Sequence, residues 1–83
     1  MQTGLLWFDN DPQRGLLNKI QDAARRYRDK FGVVPNTCYV NQASLEKGEF
    51  TLPLPDMALR VVPSSIVLAH HFWVGVEETG ATR

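Results

Sequence analysis

Two aspartates that directly follow an apolar segment near the start of the chain have the residue type and spacing for phosphate chemistry. Residues 4–8, Gly-Leu-Leu-Trp-Phe, have the continuous apolar character of a buried strand, and Asp9 and Asp11 come next. The carboxyl end of a sheet strand is where α/β enzymes often hold Mg²⁺ and phosphate with carboxylates. Magnesium-dependent phosphate chemistry at Asp9 and Asp11 is therefore one interpretation of this segment.

Over residues 5–11, Leu-Leu-Trp-Phe-Asp-Asn-Asp, the segment resembles the first motif of haloacid-dehalogenase-like phosphotransferases. That resemblance implies a Mg²⁺-assisted reaction with Asp9 and Asp11 at its centre. Gln13 stands where the motif carries Thr or Val, and a chain of 83 residues is shorter than that fold. We favour the simpler interpretation, in which Asp9 ends the strand and Asp11 caps the following helix.

His70, His71 and Cys38 are the other side chains with the chemistry of metal ligands or nucleophiles. Adjacent residues on a strand point to opposite faces, so the two imidazoles cannot easily reach one ion. A zinc site needs three or four convergent ligands, and the chain has one cysteine. Cys38 lies in an apolar segment, where we expect a buried and unreactive thiol. We therefore favour a protein with no cofactor, no metal and no catalytic activity.

The clearest structural element in the sequence is one amphipathic helix. Apolar residues recur at intervals of three and four, which predicts a helix over about residues 12–31 with a single apolar stripe. The stripe consists of Leu16, Ile20, Ala23, Ala24, Tyr27 and Phe31. Asp11-Pro12 suits the start of this helix, and Gly32 suits its end.

Short segments of β-branched and aromatic residues after the helix predict strands. Together with residues 4–8 they predict an α+β domain of order β-α-β-β-β, in which the helix packs on a sheet of three or four mostly antiparallel strands. We expect the last two strands to form an antiparallel pair. The domain is predicted to span residues 1–78, and the tail, residues 79–83, is predicted to be frayed because it has little apolar content.

Most of the basic residues lie on the predicted helix. On a helical wheel Arg14, Arg25 and Arg28 fall on one flank of the apolar stripe, with Asp22 on the outer face. This flank could bind an anion or a nucleic acid. The formal net charge of zero offers no general attraction for phosphate, so we treat nucleic-acid binding as the alternative.

Three large aromatic residues, Trp7, Tyr39 and Trp73, are candidate anchors for a protein interface. In the last strand Phe72 alternates with Trp73, so a helix on one face of the sheet leaves Trp73 on the other. Two arrangements then remain open. The aromatic residues form an exposed patch, or the segment 42–57, with Phe50 and Leu54, folds over them.

These patterns favour a small non-enzymatic interaction module that docks to a partner protein or forms a homodimer. Nucleic-acid binding through the basic flank is the alternative, and magnesium-dependent chemistry at Asp9 and Asp11 is a distant one. The single cysteine favours a reducing, cytoplasmic setting. No apolar run approaches the roughly 20 residues of a membrane-spanning helix, so we expect no membrane association.

Overall fold

The computed structural model describes residues 4–77, and it confirms an α+β domain with one α-helix on a mixed sheet. The elements are β1 (Gly4–Phe8), α1 (Leu16–Phe31), β2 (Thr37–Asn41), a short 3₁₀ helix (Gln42–Ser44), β3 (Phe50–Leu54), β4 (Met57–Ser64) and β5 (His71–Gly75). The predicted tail at residues 79–83 lies outside the described residues. No helix in the described part of the chain has the length and apolar content needed to cross a bilayer.

Within residues 4–77 the sheet has five strands in the order β1-β5-β2-β4-β3, so the prediction of three or four strands was slightly low. The additional strand arises because β3 pairs along its whole length with β4 around the tight turn at Pro55 and Asp56. Three of the four pairings are antiparallel, and β2 with β4 is parallel. Because β2 lies between β4 and β5, the last two strands do not form the expected pair.

The helix begins at Leu16, four residues later than predicted. Asp11 does not cap it, since its Oδ1 accepts a hydrogen bond from the Gln13 N–H at 2.9 Å and forms a turn before the helix. Gly15 occupies the N-cap position in an extended conformation. The end of the helix is as predicted, because Gly32 has a φ of 71° and its N–H donates to the Arg28 carbonyl at 2.8 Å.

The core lies between α1 and one face of the sheet. The buried side chains are Ile20, Ala23, Ala24, Tyr27, Cys38, Val40, Leu52, Leu59, Val61, Phe72 and Val74. Phe50 and Leu54 pack against this same cluster. Phe50 and Leu54 therefore do not fold over Trp73, because the segment 42–57 contributes its apolar side chains to the helix side of the sheet.

Candidate functional site

The face of the sheet opposite α1 carries a group of large apolar side chains at the β1–β5–β2 end. We call this the open face, and it is formed by Leu6, Phe8, Tyr39, Val62, His71 and Trp73. Direct cross-strand partners share a face, and Trp73 lies opposite Leu6 on one side and Tyr39 on the other. Leu6 and Phe8 keep 57% and 53% of their surface exposed, so this end of the sheet is open to a partner.

A groove of about 470 Å³ runs between the open face and the segment that joins β4 to β5. Its lining residues are Leu6, Tyr39, Ser64, Ile66, Val67, Leu68, His71, Trp73 and Glu77. Val67 is buried, and its carbonyl accepts a hydrogen bond from the Asn41 side chain at 2.9 Å. Because Val67 is anchored, its neighbours Ile66 and Leu68 point outward with 86% and 70% of their surface exposed.

Polar groups also line the groove. The Tyr39 hydroxyl donates a hydrogen bond to the Glu77 carboxylate, and this bond, together with partial burial, raises the pKa of Tyr39. His71 lies with its Nδ1 at 2.9 Å from the Ala69 carbonyl oxygen, and its ring is 4.9 Å from that of Phe8. The lining of the groove therefore combines apolar side chains with hydrogen-bonding groups.

The structure brings together two of the three predicted aromatic anchors and separates the third. Tyr39 and Trp73 are neighbours on the open face. Trp7 lies opposite Phe72 on the helix side, where the Arg26 guanidinium stands 5.4 Å from its ring centroid. Its indole Nε1 is buried, and within residues 4–77 it has no hydrogen-bond partner. Trp7 therefore does not share the face on which an anchor was expected.

The sequence prediction missed four apolar residues at the site. Leu6 and Phe8 alternate with Trp7 along β1, but all five residues of this strand are apolar, so a period of two does not show which of its faces is open. Ile66 and Leu68 lie in a segment without regular structure. Their exposure has no local signature in the sequence, because it depends on the anchoring of Val67 by a strand 26 residues away.

The predicted basic flank is paired with carboxylates along its length. Arg14 pairs with Asp22 at 2.5 Å and with Asp9 at 3.5 Å, and Arg25 pairs with the same Asp22 at 3.4 Å. Arg28 pairs with Asp56. The hydrogen bond to Asp22 raises the pKa of Arg14 further. Each guanidinium thus faces a carboxylate that competes with any phosphate ligand.

The predicted metal candidates are engaged in the turn before α1. Asp9 Oδ1 accepts the Asp11 N–H at 3.0 Å, and Asp11 Oδ1 accepts the Gln13 N–H. Within residues 4–77 no group of three or more His, Cys, Asp or Glu side chains is arranged to hold a metal ion. Cys38 is fully buried on the helix side, and burial raises its thiol pKa to about 12. The geometry at these positions is that of folding interactions.

The chain matches no protein-family model, no curated protein and no solved structure. We therefore infer function from the geometry of the described residues. In that geometry, the open face and its groove are the features that the packing of the core does not account for.

Proposed function

We propose that the protein is a small non-enzymatic interaction module that binds a protein partner, or a second copy of itself, through the open face. The observation that carries the proposal is the cluster of large apolar side chains around the groove, with Trp73 and Tyr39 at its centre. Trp and Tyr are enriched among the residues that dominate binding energy at protein interfaces. Exposed apolar clusters of this kind commonly mark such interfaces.

Binding a partner at the open face is energetically favourable because it buries apolar side chains that are exposed in the isolated chain. Full burial of a Leu, Ile or Phe side chain is worth about 1.5–3 kcal/mol, and Leu6, Phe8, Ile66 and Leu68 each keep more than half of their surface exposed. A partner that covers them recovers part of this free energy. The anchored Val67 holds Ile66 and Leu68 in place beforehand, which lowers the entropy cost of binding.

The charged groups around the open face favour a protein partner. The far end of the same face carries Arg60, whose Nε donates to Glu49 at 2.9 Å. An apolar centre with a polar and charged rim is the usual anatomy of a protein interface. Nucleic-acid binding receives less support, because Arg14, Arg25 and Arg28 are paired with carboxylates. The proposal places the protein in the cytoplasm, where its single, buried cysteine stays reduced.

The test compares matched pairs of exposed apolar residues. The double substitution Ile66→Ser with Leu68→Ser removes apolar surface from the groove. The control, Leu17→Ser with Val33→Ser, removes exposed apolar residues from α1 and the segment that follows it, where the exposed fractions are 45% and 52%. Self-association is measured by light scattering, and partner binding is measured by affinity capture with each variant as bait.

We expect the groove variant to lose association or partner capture while the control keeps both. Both variants should retain the wild-type circular dichroism, because all four residues are exposed. A wild-type protein that is strictly monomeric at roughly 100 µM, a concentration that populates micromolar complexes, and that captures no partner would refute the proposal. Equal losses in both variants would show that the apolar contacts are not specific to the open face.

A further inference from the structure

The two edges of the sheet differ in their capacity to accept another strand. On β4 the Arg60 N–H donates to the Asn36 carbonyl and therefore points toward β2, away from β3. Because backbone groups alternate along a strand, no hydrogen bonds form within the Arg60–Thr51 and Ala58–Pro53 pairs of β4 and β3. The backbone groups of Thr51 and Pro53 therefore point outward. Pro53 has no N–H, so the β3 edge lacks one of its donors, a common protection against edge pairing.

Within the described residues, the β1 edge has no proline and no strand that covers it. Asp9 directly follows β1, and its N–H donates to the His70 carbonyl at 3.0 Å, which continues the pairing of β1 with β5. Alternate residues along an antiparallel strand turn their N–H and C=O groups to opposite sides. Leu5 and Trp7 therefore bond to β5. Gly4, Leu6 and Phe8 direct their backbone groups outward from the sheet.

We propose that the β1 edge pairs antiparallel with the β1 edge of a second copy of this chain, joining two sheets into one. This inference deepens the proposed function, on which it rests, by naming a second copy as an occupant and a backbone pairing as its mode of binding. An unprotected apolar edge strand is a template for β-strand addition. Within residues 4–77 no strand pairs with this edge of β1, and the proposed pairing satisfies its outward hydrogen-bonding groups.

A two-fold register centred on Leu6 is self-complementary. It places Leu6 opposite its own copy and Phe8 opposite Gly4 of the second copy. All outward N–H and C=O groups of the strand then find partners, giving about six hydrogen bonds across the seam. The Trp73 indole lies over Gly4 within the chain, so in this register Phe8 lies beside the indole of the second copy.

Charge favours the second copy and fixes the direction of pairing. Residues 4–8 carry no charged side chain, so two copies meet without like-charge repulsion along the strand. In the antiparallel register the two Asp9 carboxylates lie roughly 20 Å apart, six residues at about 3.4 Å each. A parallel register would bring them side by side, which is unfavourable.

The register also makes the open faces of the two copies continuous. A two-fold axis normal to the sheet keeps both helices on one side and both open faces on the other. Leu6 and Phe8 of the two copies then form one apolar strip between the two Trp73 residues. A five-residue strand pair buries less than the roughly 800 Å² per partner of a standard stable dimer, so we expect a Kd in the micromolar range.

Substitutions at Leu6 separate backbone pairing from side-chain contact. Leu6→Pro removes the outward N–H, and it preserves the β1–β5 hydrogen bonds because that N–H does not take part in them. The control Leu6→Val keeps the N–H and an apolar side chain. By sedimentation equilibrium we expect Leu6→Pro to raise the dimer Kd by roughly tenfold or more, and Leu6→Val to change it by less than about threefold.

Amide hydrogen exchange of the wild-type chain tests the same pairing without any substitution. In the monomer the N–H groups of Leu6 and Phe8 face solvent and exchange quickly, while those of Leu5 and Trp7 are protected by β5. We expect protection of Leu6 and Phe8 to rise with protein concentration in step with the dimer population. This readout decides the question even where Leu6→Pro lowers the stability of the fold.

The outcomes separate this inference from the proposed function. Fast exchange of Leu6 and Phe8 at every concentration, or an unchanged Kd in Leu6→Pro, overturns the edge pairing. If association then disappears only in the Ile66→Ser, Leu68→Ser variant, the open face still binds and the proposed function stands. A monomeric wild type that captures a partner through the groove also overturns the edge pairing alone. A wild-type protein that neither self-associates nor captures a partner overturns both proposals.

Discussion

The indole ring of Trp73 covers the backbone of Gly4 so closely that no side chain fits between them. A Cβ atom placed on Gly4 would lie 2.8 Å from Cε2 and 2.9 Å from Cζ2 of that ring, and 3.1 Å from the Val74 carbonyl oxygen. Trp73 thus lies diagonally across the β1–β5 pair, with Leu6 directly opposite it. The position of the central aromatic residue on the open face therefore depends on a glycine in the edge strand.

Gly4→Ala is expected to destabilise the protein by about 1–3 kcal/mol, the usual cost of forcing an extra carbon into a closely packed site. The added methyl group must displace the Trp73 ring or the β1 backbone. Urea denaturation gives the free energy of unfolding, and the tryptophan emission of the native state should shift as Trp73 moves.

Gly15→Ala is the matched control for this substitution. A Cβ atom on Gly15 meets nothing within 4 Å, and the φ of −74° suits any L-residue. We expect its free energy of unfolding to stay within about 0.5 kcal/mol of the wild type. Equal effects of the two substitutions would show that the contact with Trp73 does not restrict residue 4.

Asn36 joins three strands at one end of the sheet. Its backbone N–H donates to the Gly75 carbonyl at 3.0 Å, and its carbonyl accepts the Arg60 N–H at 2.9 Å. Its side chain donates to the Glu77 carbonyl at 3.0 Å and accepts the Glu77 N–H at 2.8 Å. The Asn36 amide therefore pairs with the backbone of Glu77 just after β5 ends.

We expect Asn36→Ala to lower the free energy of unfolding by about 1–3 kcal/mol, because it leaves partly buried groups of Glu77 without their bonds. Asn36→Asp keeps the acceptor for the Glu77 N–H but turns a carboxylate oxygen toward the Glu77 carbonyl oxygen, so we expect it also to lower the free energy of unfolding near neutral pH. Urea denaturation of the three proteins provides the measurement. An alanine variant as stable as the wild type would mean that water replaces both bonds at no cost.

The fold was largely predictable from the sequence because the decisive signals are local. The apolar stripe from Leu16 to Tyr27 and the glycine at position 32 determine the helix within one stretch of chain. The start of the helix was predicted four residues too early because Asp11-Pro12 satisfies the rules for a helix start. Only the hydrogen bond from the Gln13 N–H to the Asp11 carboxylate shows that a turn comes first. Strand order was not predictable, since inserting β5 between β1 and β2 depends on long-range packing.

The candidate site was predictable only in part, for a related reason. Alternation along a strand is a local rule, and it correctly placed Trp73 on the face opposite the helix. In β1 all five residues are apolar, so alternation alone does not show that Trp7 lies on the helix side, opposite Phe72. The exposure of Ile66 and Leu68 and the role of Asn36 depend on contacts between residues 26 and 41 positions apart, and sequence spacing carries no record of these contacts.

The thiol of Cys38 is expected to be inert in the native protein. It lies fully buried on the helix side of the sheet, and burial raises its pKa to about 12. Relative to an ordinary thiol with a pKa of about 8.5, the thiolate fraction near neutral pH falls by roughly three-thousandfold. Labelling with a thiol reagent should therefore be at least about 1000-fold slower in the native state than in urea. Fast native labelling would instead indicate an accessible thiolate.

The hydrogen bond between Tyr39 and Glu77 predicts a specific loss of stability at alkaline pH. The bond to the carboxylate, with burial and the negative charge of Glu77 as smaller causes, raises the pKa of Tyr39 above its ordinary value of about 10. A group whose pKa is raised on folding contributes its full stabilisation below the unfolded pKa. That contribution is lost as the pH rises from about 10 through the folded pKa, because the unfolded chain releases the proton first.

Tyr39→Phe isolates this effect from other changes of charge at alkaline pH. The variant lacks the hydroxyl, so its unfolding free energy should fall less than that of the wild type between about pH 8 and pH 11. Urea denaturation at a series of pH values measures both proteins, and the difference between their slopes belongs to Tyr39. Parallel pH profiles would show that the hydroxyl is not held by Glu77 in solution. Because Tyr39 lines the groove beside Trp73, a partner that covers the hydroxyl should displace this alkaline loss to higher pH.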